Sequence, residues 1–286
     1  MTNDSGAVRP SRGLVLGGGG PVGRAWQVGL VDGFAGQGID LGTADLIIGT
    51  SAGAVAGAHL ALKQGFGAPP KIDAAPPVYS GNIVDLATAM ARAAQSAEPE
   101  PIRAEIGRMA LNAQTISEEA SLSRSIFAPF VGQAWPSQLR ATSVNARTGP
   151  RLERAIAAST AAPYIWPAIT IDGDRYIDGG VRSTLNADLA IGCDMVIAVS
   201  CFSLTGHDNA VPAFFTAMNA APLAELDAVR DSGATVALIE PRSDFVVLTK
   251  HGAAMMDSNL VPEAYRLGQI TAVGEAESVR RLWNSH

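Results

Sequence analysis

The stretch GLVLGGGGPVG, Gly13 to Gly23, begins as an apolar run and continues into four consecutive glycines, Gly17 to Gly20. Glycine costs backbone entropy wherever it sits, so such a run belongs where the backbone must stay bare. Two ligands want bare backbone. The spacing Gly18-x-Gly20-x-x-Gly23 after a strand fits a dinucleotide-binding turn that receives a pyrophosphate. The same N–H groups also suit the oxyanion that forms during acyl transfer.

The next segment, ADLIIGTSAGAVAGAHLALKQG (Ala44 to Gly65), favours the second reading. A dinucleotide fold expects an acidic residue at the end of its second strand, to hold the ribose hydroxyls. This strand ends in Gly49-Thr50-Ser51, and Asp40 and Asp45 lie before it or at its start. What stands there instead is GTSAG, a Gly-x-Ser-x-Gly turn that holds a nucleophilic serine between strand and helix. The helix beyond it opens with small residues. Its N-terminus can therefore approach closely and favour negative charge near Ser51.

Around these loops the pattern is that of parallel βα units. Arg12 to Leu16 reads as a buried strand, and RAWQVGLVDGFAGQG (Arg24 to Gly38) as a helix with Trp26, Leu30 and Phe34 on one face. GFGAPPKIDAAPP (Gly65 to Pro77) reads as an irregular linker. Three helical stretches follow, Asn82–Gln95, Pro101–Gln114 and Ile116–Phe130, and none contains a strand pattern. Residues from about 67 to 135 therefore form a helical insertion or lid. Its stripe of Ile83, Leu86 and Met90 reads chiefly as a packing face, with a lipid-facing surface as the alternative.

Strand signals return at LRATSVNART (Leu139 to Thr148), with a turn at Thr148 to Pro150. A helix over Arg151–Ser159 follows, then a hairpin over Ala168–Gly180 that reverses at Asp172 to Asp174. DMVIAVS (Asp194 to Ser200) and ATVALIEP (Ala234 to Pro241) read as further buried strands, and Val261–Trp283 as the last helix. The expected architecture is one α/β domain over residues 1–286: a three-layer α/β/α sandwich, its central sheet mostly parallel. Residues 1–12 read as a disordered lead.

Composition narrows the function. The chain has 286 residues, 47% hydrophobic and 17% charged, with net charge −6, so it is a globular protein with a full core. Its basic residues are scattered, and no patch invites nucleic acid. Cys193 and Cys201 flank the strand Met195–Ser200, too far apart for a disulfide, and no Cys/His cluster offers a metal site. A polar N-terminus and the absence of a long apolar run point to a cytoplasmic protein.

A nucleophilic Ser51 needs a base. Of the four histidines, His59 lies two helical turns past Ser51 and His286 is the last residue. His207 and His251 sit in polar, turn-like surroundings, and either would complete a Ser-Asp-His triad with Asp178 between. Asp178 itself, in YIDGGV (Tyr176 to Val181), is the other base. Its carboxylate would project from a tight loop that backbone can approach.

GGGGPVG, GTSAG and DGG, in this order and spacing, resemble the patatin-like phospholipase family. The likeness runs over Gly13–His59 and Leu139–Val199. The resemblance implies a Ser-Asp dyad without histidine: Ser51 attacks an ester carbonyl of a lipid, and Asp178 takes its proton and later activates the deacylating water. It implies an oxyanion hole in the backbone N–H groups of Gly18, Gly19 and Gly20, no cofactor or metal, and at most transient contact with a membrane surface. The dyad requires a partly desolvated Asp178, because an exposed carboxylate is a feeble base. One departure stands out. The family's loop usually carries Arg or Lys just before its last glycine, where this chain has Val22; Arg24, just after Gly23, is the candidate replacement. Alternatives outside the family are a triad hydrolase, and a non-catalytic lipid- or nucleotide-binding protein.

Overall fold

The computed structural model describes residues 10–66, 83–143, 152–206 and 217–283. Its elements in chain order are β1 (Arg12–Leu16), α1 (Gly20–Gly36), β2 (Leu46–Gly49), α2 (Ala52–Ala61), α3 (Ile83–Gln95), α4 (Glu100–Asn112) and α5 (Glu118–Leu122). There follow β3 (Leu139–Ala141), α6 (Leu152–Ser159), β4 (Ile169–Ile171), β5 (Asp174–Tyr176) and β6 (Met195–Val199). The chain continues through α7 (Ala220–Asp231), β7 (Thr235–Ile239), α8 (Ser243–Leu248) and α9 (Val261–Trp283).

Five strands make one sheet in the order β3-β2-β1-β6-β7, with every neighbouring pair parallel. Parallel sheets need both faces covered, and alternation along the strands supplies the contacts. Leu14, Leu16, Ile47, Ile197 and Val199 join one buried cluster with Trp26, Phe34, Val55 and Ile156. Val15, Ile48, Val196 and Ala198 turn to the opposite face and meet Leu185, Leu226 and Val229. The result is the expected three-layer α/β/α arrangement.

The register decides where chemistry can occur. Leu16 pairs with both Gly49 and Val199, Gly49 with Ala141, and Val199 with Ile239. All five strands end at one level. Their outgoing loops gather along that edge, where open α/β sheets bind ligands.

Four expectations change. Helix α1 starts at Gly20 rather than Arg24, with Pro21 in the first turn, where a missing N–H costs nothing. The stretch Ile116–Phe130 is not one helix. It breaks at Arg124, which is extended (φ −60°, ψ 139°), and resumes as a 3-10 turn over Ser125–Phe130 that contains Pro129. Strand β7 is the sheet's edge and only partly buried. Arg12, assigned to the lead, already pairs with Met195 in the sheet. The hairpin β4–β5 reverses where expected, at Asp172 and Gly173, with φ of 51° and 90° as a type I′ turn requires. The linker beyond Phe66, the turn at 148–150 and most of the lead lie outside the described residues.

Helices α3 and α4 pack through Leu86, Ala89 and Ile106, with Met90, Ile102 and Met109 beside them. This cluster also touches Tyr164, Ile177 and Val181, so Leu86 and Met90 of the stripe pack, and they pack near the Asp178 loop. Cys193 and Cys201 are free and buried. Among the described residues no helix is long and apolar enough to cross a membrane.

Helix α1 is clamped to α9 with the two backbones nearly touching. A Cβ at Gly29 would collide with the Tyr265 carbonyl oxygen, and one at Gly268 with the carbonyl of Trp26. At Gly33 it would lie 2.6 Å from the Ala272 Cβ. The far end of α9 is fixed by Trp283, whose ring N–H donates to the Asp40 carbonyl (3.0 Å). We expect Gly29→Ala to lower unfolding stability by about 2–3 kcal/mol in urea titration, because overpacking exceeds the gain in helix propensity. Gly274→Ala, with open space around it, should be neutral or stabilise by up to about 1 kcal/mol. Equal effects at the two positions would contradict the close approach.

Candidate active site

The site begins with a turn that only two glycines permit. Strand β2 reverses into α2 across Gly49-Thr50-Ser51. A Cβ at Gly49 would collide with Ala54, and one at Gly53 with the Leu16 carbonyl oxygen. Ser51 takes φ 52° and ψ −113°, a left-handed backbone that costs an L-residue roughly 1–3 kcal/mol. The turn is held from three sides. The Thr50 N–H donates to Leu16 O (2.9 Å), the Thr142 N–H donates to Gly49 O (3.2 Å), and the Ser51 N–H donates to the Ser159 hydroxyl on α6 (3.0 Å).

The Ser51 hydroxyl then comes near the carboxylate of Asp178, close enough to favour its charged form. Asp178 follows β5 and caps the short turn Gly179–Val181, with its Oδ1 accepting the Gly180 N–H at 2.7 Å. Its own N–H donates to Ala161 O (3.0 Å). The residue is only 6% exposed. Burial pushes its pKa up to about 6, against the opposing pull of the Gly180 amide and the Ser51 hydroxyl. No cation is among the influences on it.

The glycine loop forms the third wall. Gly18 lies against Ser51, and a Cβ there would stand 3.5 Å from the Ser51 Cβ. Its amide, however, donates to Thr184 O at 2.8 Å, so it is not available to a ligand. The amides of Gly19 and Gly20 have no acceptor among the described residues. A Cβ on Gly19 would crowd Cys201 (2.6 Å to its Cβ), and Gly20 has φ 58°. Both positions need glycine.

Residues 84–191, which include Asp178, match the family model described as patatin-like phospholipase. This part of the chain is thus similar to a patatin-like phospholipase domain. Ser51 and the glycine loop lie outside the matched segment; adjacent parallel strands bring them to it. No curated protein matches the chain. The match supports lipid acyl hydrolysis in general terms.

Of the supporting residues expected from the sequence, Gly23 stays with the glycine loop, donating its N–H to Gly19 O (2.8 Å). Gly23 faces Cys201, with a Cβ there 2.9 Å from its Sγ. Val22 is fully buried and donates its N–H to Met255 O (3.2 Å). Arg24 acts on His59, whose pKa falls to about 4 through burial and then through that positive charge. The His59 ring is wedged between Phe66 and Phe130, with centroids 5.5 and 5.0 Å away. His251 lines a small pocket with Cys201, Thr249 and Met255, while His207 and His286 lie outside the described residues.

Of the apolar stretch Ala161–Ile169, Ala161 and Tyr164 come beside Asp178, whereas Trp166 stacks on Arg124 (3.6 Å). Sequence reasoning missed Ser159, Thr50 and Asn186, all buried polar residues. Their only signal was polarity in segments that otherwise read as apolar.

A carboxyl group with a raised pKa holds its proton more tightly folded than unfolded. Its contribution is therefore most favourable below the ordinary value near 4 and is lost as pH rises through about 6. We expect Asp178→Asn to unfold less readily than the parent chain at pH 8, by on the order of 2 kcal/mol, with the two converging below about pH 4. Chemical denaturation across this range checks the sign.

Proposed function

We propose that this chain hydrolyses acyl esters of lipids through a Ser51–Asp178 dyad and a covalent acyl-enzyme. One observation carries the reading: a serine on a strained turn lies beside a buried carboxylate whose pKa is raised to about 6 and whose charged form the serine hydroxyl favours. A base of that strength is ionised at neutral pH yet accepts a proton more readily than a solvated carboxylate.

Ser51 Oγ attacks the acyl carbonyl carbon while Asp178 takes the hydroxyl proton. The carbonyl oxygen becomes an oxyanion, received by the amides of Gly19 and Gly20 at the start of α1. Fixed donors of this kind stabilise the developing charge without reorganising. As the intermediate collapses, the ester C–O bond breaks and the proton on Asp178 passes to the departing alkoxide. Water, deprotonated by Asp178, then attacks the acyl-serine carbonyl; the acid leaves and Ser51 recovers its proton. The donor set is smaller by one than the glycine run suggested, since Gly18 is committed to Thr184.

We also assign the chain to the cytoplasm as a single catalytic unit, with α3–α5 inserted beside the Asp178 loop. The substrate is a lipid or another acyl ester met in solution or at a membrane surface.

A fluorophosphonate probe should label the parent chain and spare Ser51→Ala. Asp178→Asn should lower kcat on a short-chain ester about 10³-fold, whereas His251→Ala and His207→Ala stay within threefold. The parent's kcat/KM should rise with one ionisation near pH 6, in line with the carboxyl that must be charged. Loss of turnover in a folded histidine variant would instead install a triad.

A further inference from the structure

We propose that Asn186 is a positioning residue for this hydrolysis: its carboxamide ties the nucleophile turn to the aspartate loop and holds Ser51 and Asp178 in register. The inference rests on the dyad reading above.

Asn186 is 1% exposed and left-handed, with φ 56° and ψ 42°. Its Nδ2 donates to Ser183 O (2.8 Å), Thr50 Oγ1 (3.0 Å) and Gly179 O (3.3 Å). Its Oδ1 accepts from Arg182 Nη1 at 2.7 Å. These partners fix the amide's orientation, because the reversed carboxamide would set an oxygen against two carbonyls and an N–H₂ against a guanidinium. Thr50 is the residue before the nucleophile, and Gly179 is the residue after the base. One side chain therefore bridges the immediate neighbours of both reacting groups, which are far apart in sequence.

Thr50 has little freedom to adjust. Its hydroxyl also donates to Leu185 O (3.1 Å) and accepts from the Thr142 hydroxyl (3.3 Å). The aspartate loop is equally pinned, since a Cβ at Gly179 would run into Thr142 Oγ1. Behind Asn186, Arg182 pairs with Asp188 (2.6 Å) and Glu225 (3.4 Å), and Glu225 accepts from the Ser183 hydroxyl (2.8 Å). The carboxamide thus has a rigid backing and transmits it to both loops.

A left-handed turn suits asparagine on backbone grounds alone, so the test must separate the turn from the carboxamide. Asn186→Gly keeps the backbone conformation and removes the side chain. Thr50→Val removes the hydroxyl that receives it, with little change in shape. Each is compared with the parent chain in short-chain ester kinetics from pH 5 to 9 and in thermal melting.

We expect kcat to fall about a hundredfold in each, as for a misplacement of roughly 1 Å at a reacting group. KM should stay within threefold, and the acid limb of kcat/KM should move to higher pH as Ser51 ceases to stabilise the carboxylate. A kcat within threefold of the parent, an unmoved acid limb, or a change in KM alone would reduce Asn186 to a turn residue and overturn the proposal. Should Asn186→Gly fail to fold, Thr50→Val decides by the same criteria. Ser51→Ala run in parallel separates the two readings. If it stays active, the dyad itself is wrong; if it is dead while Asn186→Gly is not, only the positioning role falls.

Discussion

The geometry of the site descends from one contact, the backbone of Gly53 lying on the carbonyl of Leu16. That approach leaves no room for a side chain, and it draws the start of α2 directly against the end of β1. The turn between β2 and α2 must then be short enough to force Ser51 into a left-handed backbone. The parallel register does the rest. Because β1, β2 and β6 end at the same level, the glycine loop, the serine turn and the segment after β6 are neighbours without any long excursion of the chain.

A second constraint acts on Asp178. A carboxylate held out of water is disfavoured in its charged form, and the fold tolerates this beside its helical insertion. The cluster of Leu86, Ala89 and Ile106 reaches Ile177 and Val181, which flank Asp178 and its two glycines. Such a site opposes stability and reactivity in the same residue, a common arrangement where function needs a perturbed pKa.

Much of this could be read from the residues alone. The strands β1, β2 and β6 showed as apolar runs, and the glycine spacing around Ser51 and Asp178 showed as tight turns. What could not be read was how backbone donors are shared. Nothing in GGGGPVG distinguishes the amide of Gly18, committed to Thr184, from those of Gly19 and Gly20; the difference arises from a loop more than 160 residues downstream. Arg24 looked like a substitute for a missing charge because adjacency in sequence was the only guide. In the fold its charge is felt by His59. Ser159 and Asn186 were invisible for a related reason: a buried polar side chain is informative only once its partners are known. The helix expected over Ile116–Phe130 failed at Arg124 because local propensity gave way to the demands of packing.

The clamp between α1 and α9 has a temporal side. Helix α1 carries the glycine loop at its start, yet the surface that receives its own glycine face is made by residues 261–283. During synthesis this surface emerges from the ribosome after the glycine loop, Ser51 and Asp178. The loop can adopt its final backing only once translation has passed Trp283, so a ribosome-bound fragment holds the serine and the aspartate without the helix that steadies them.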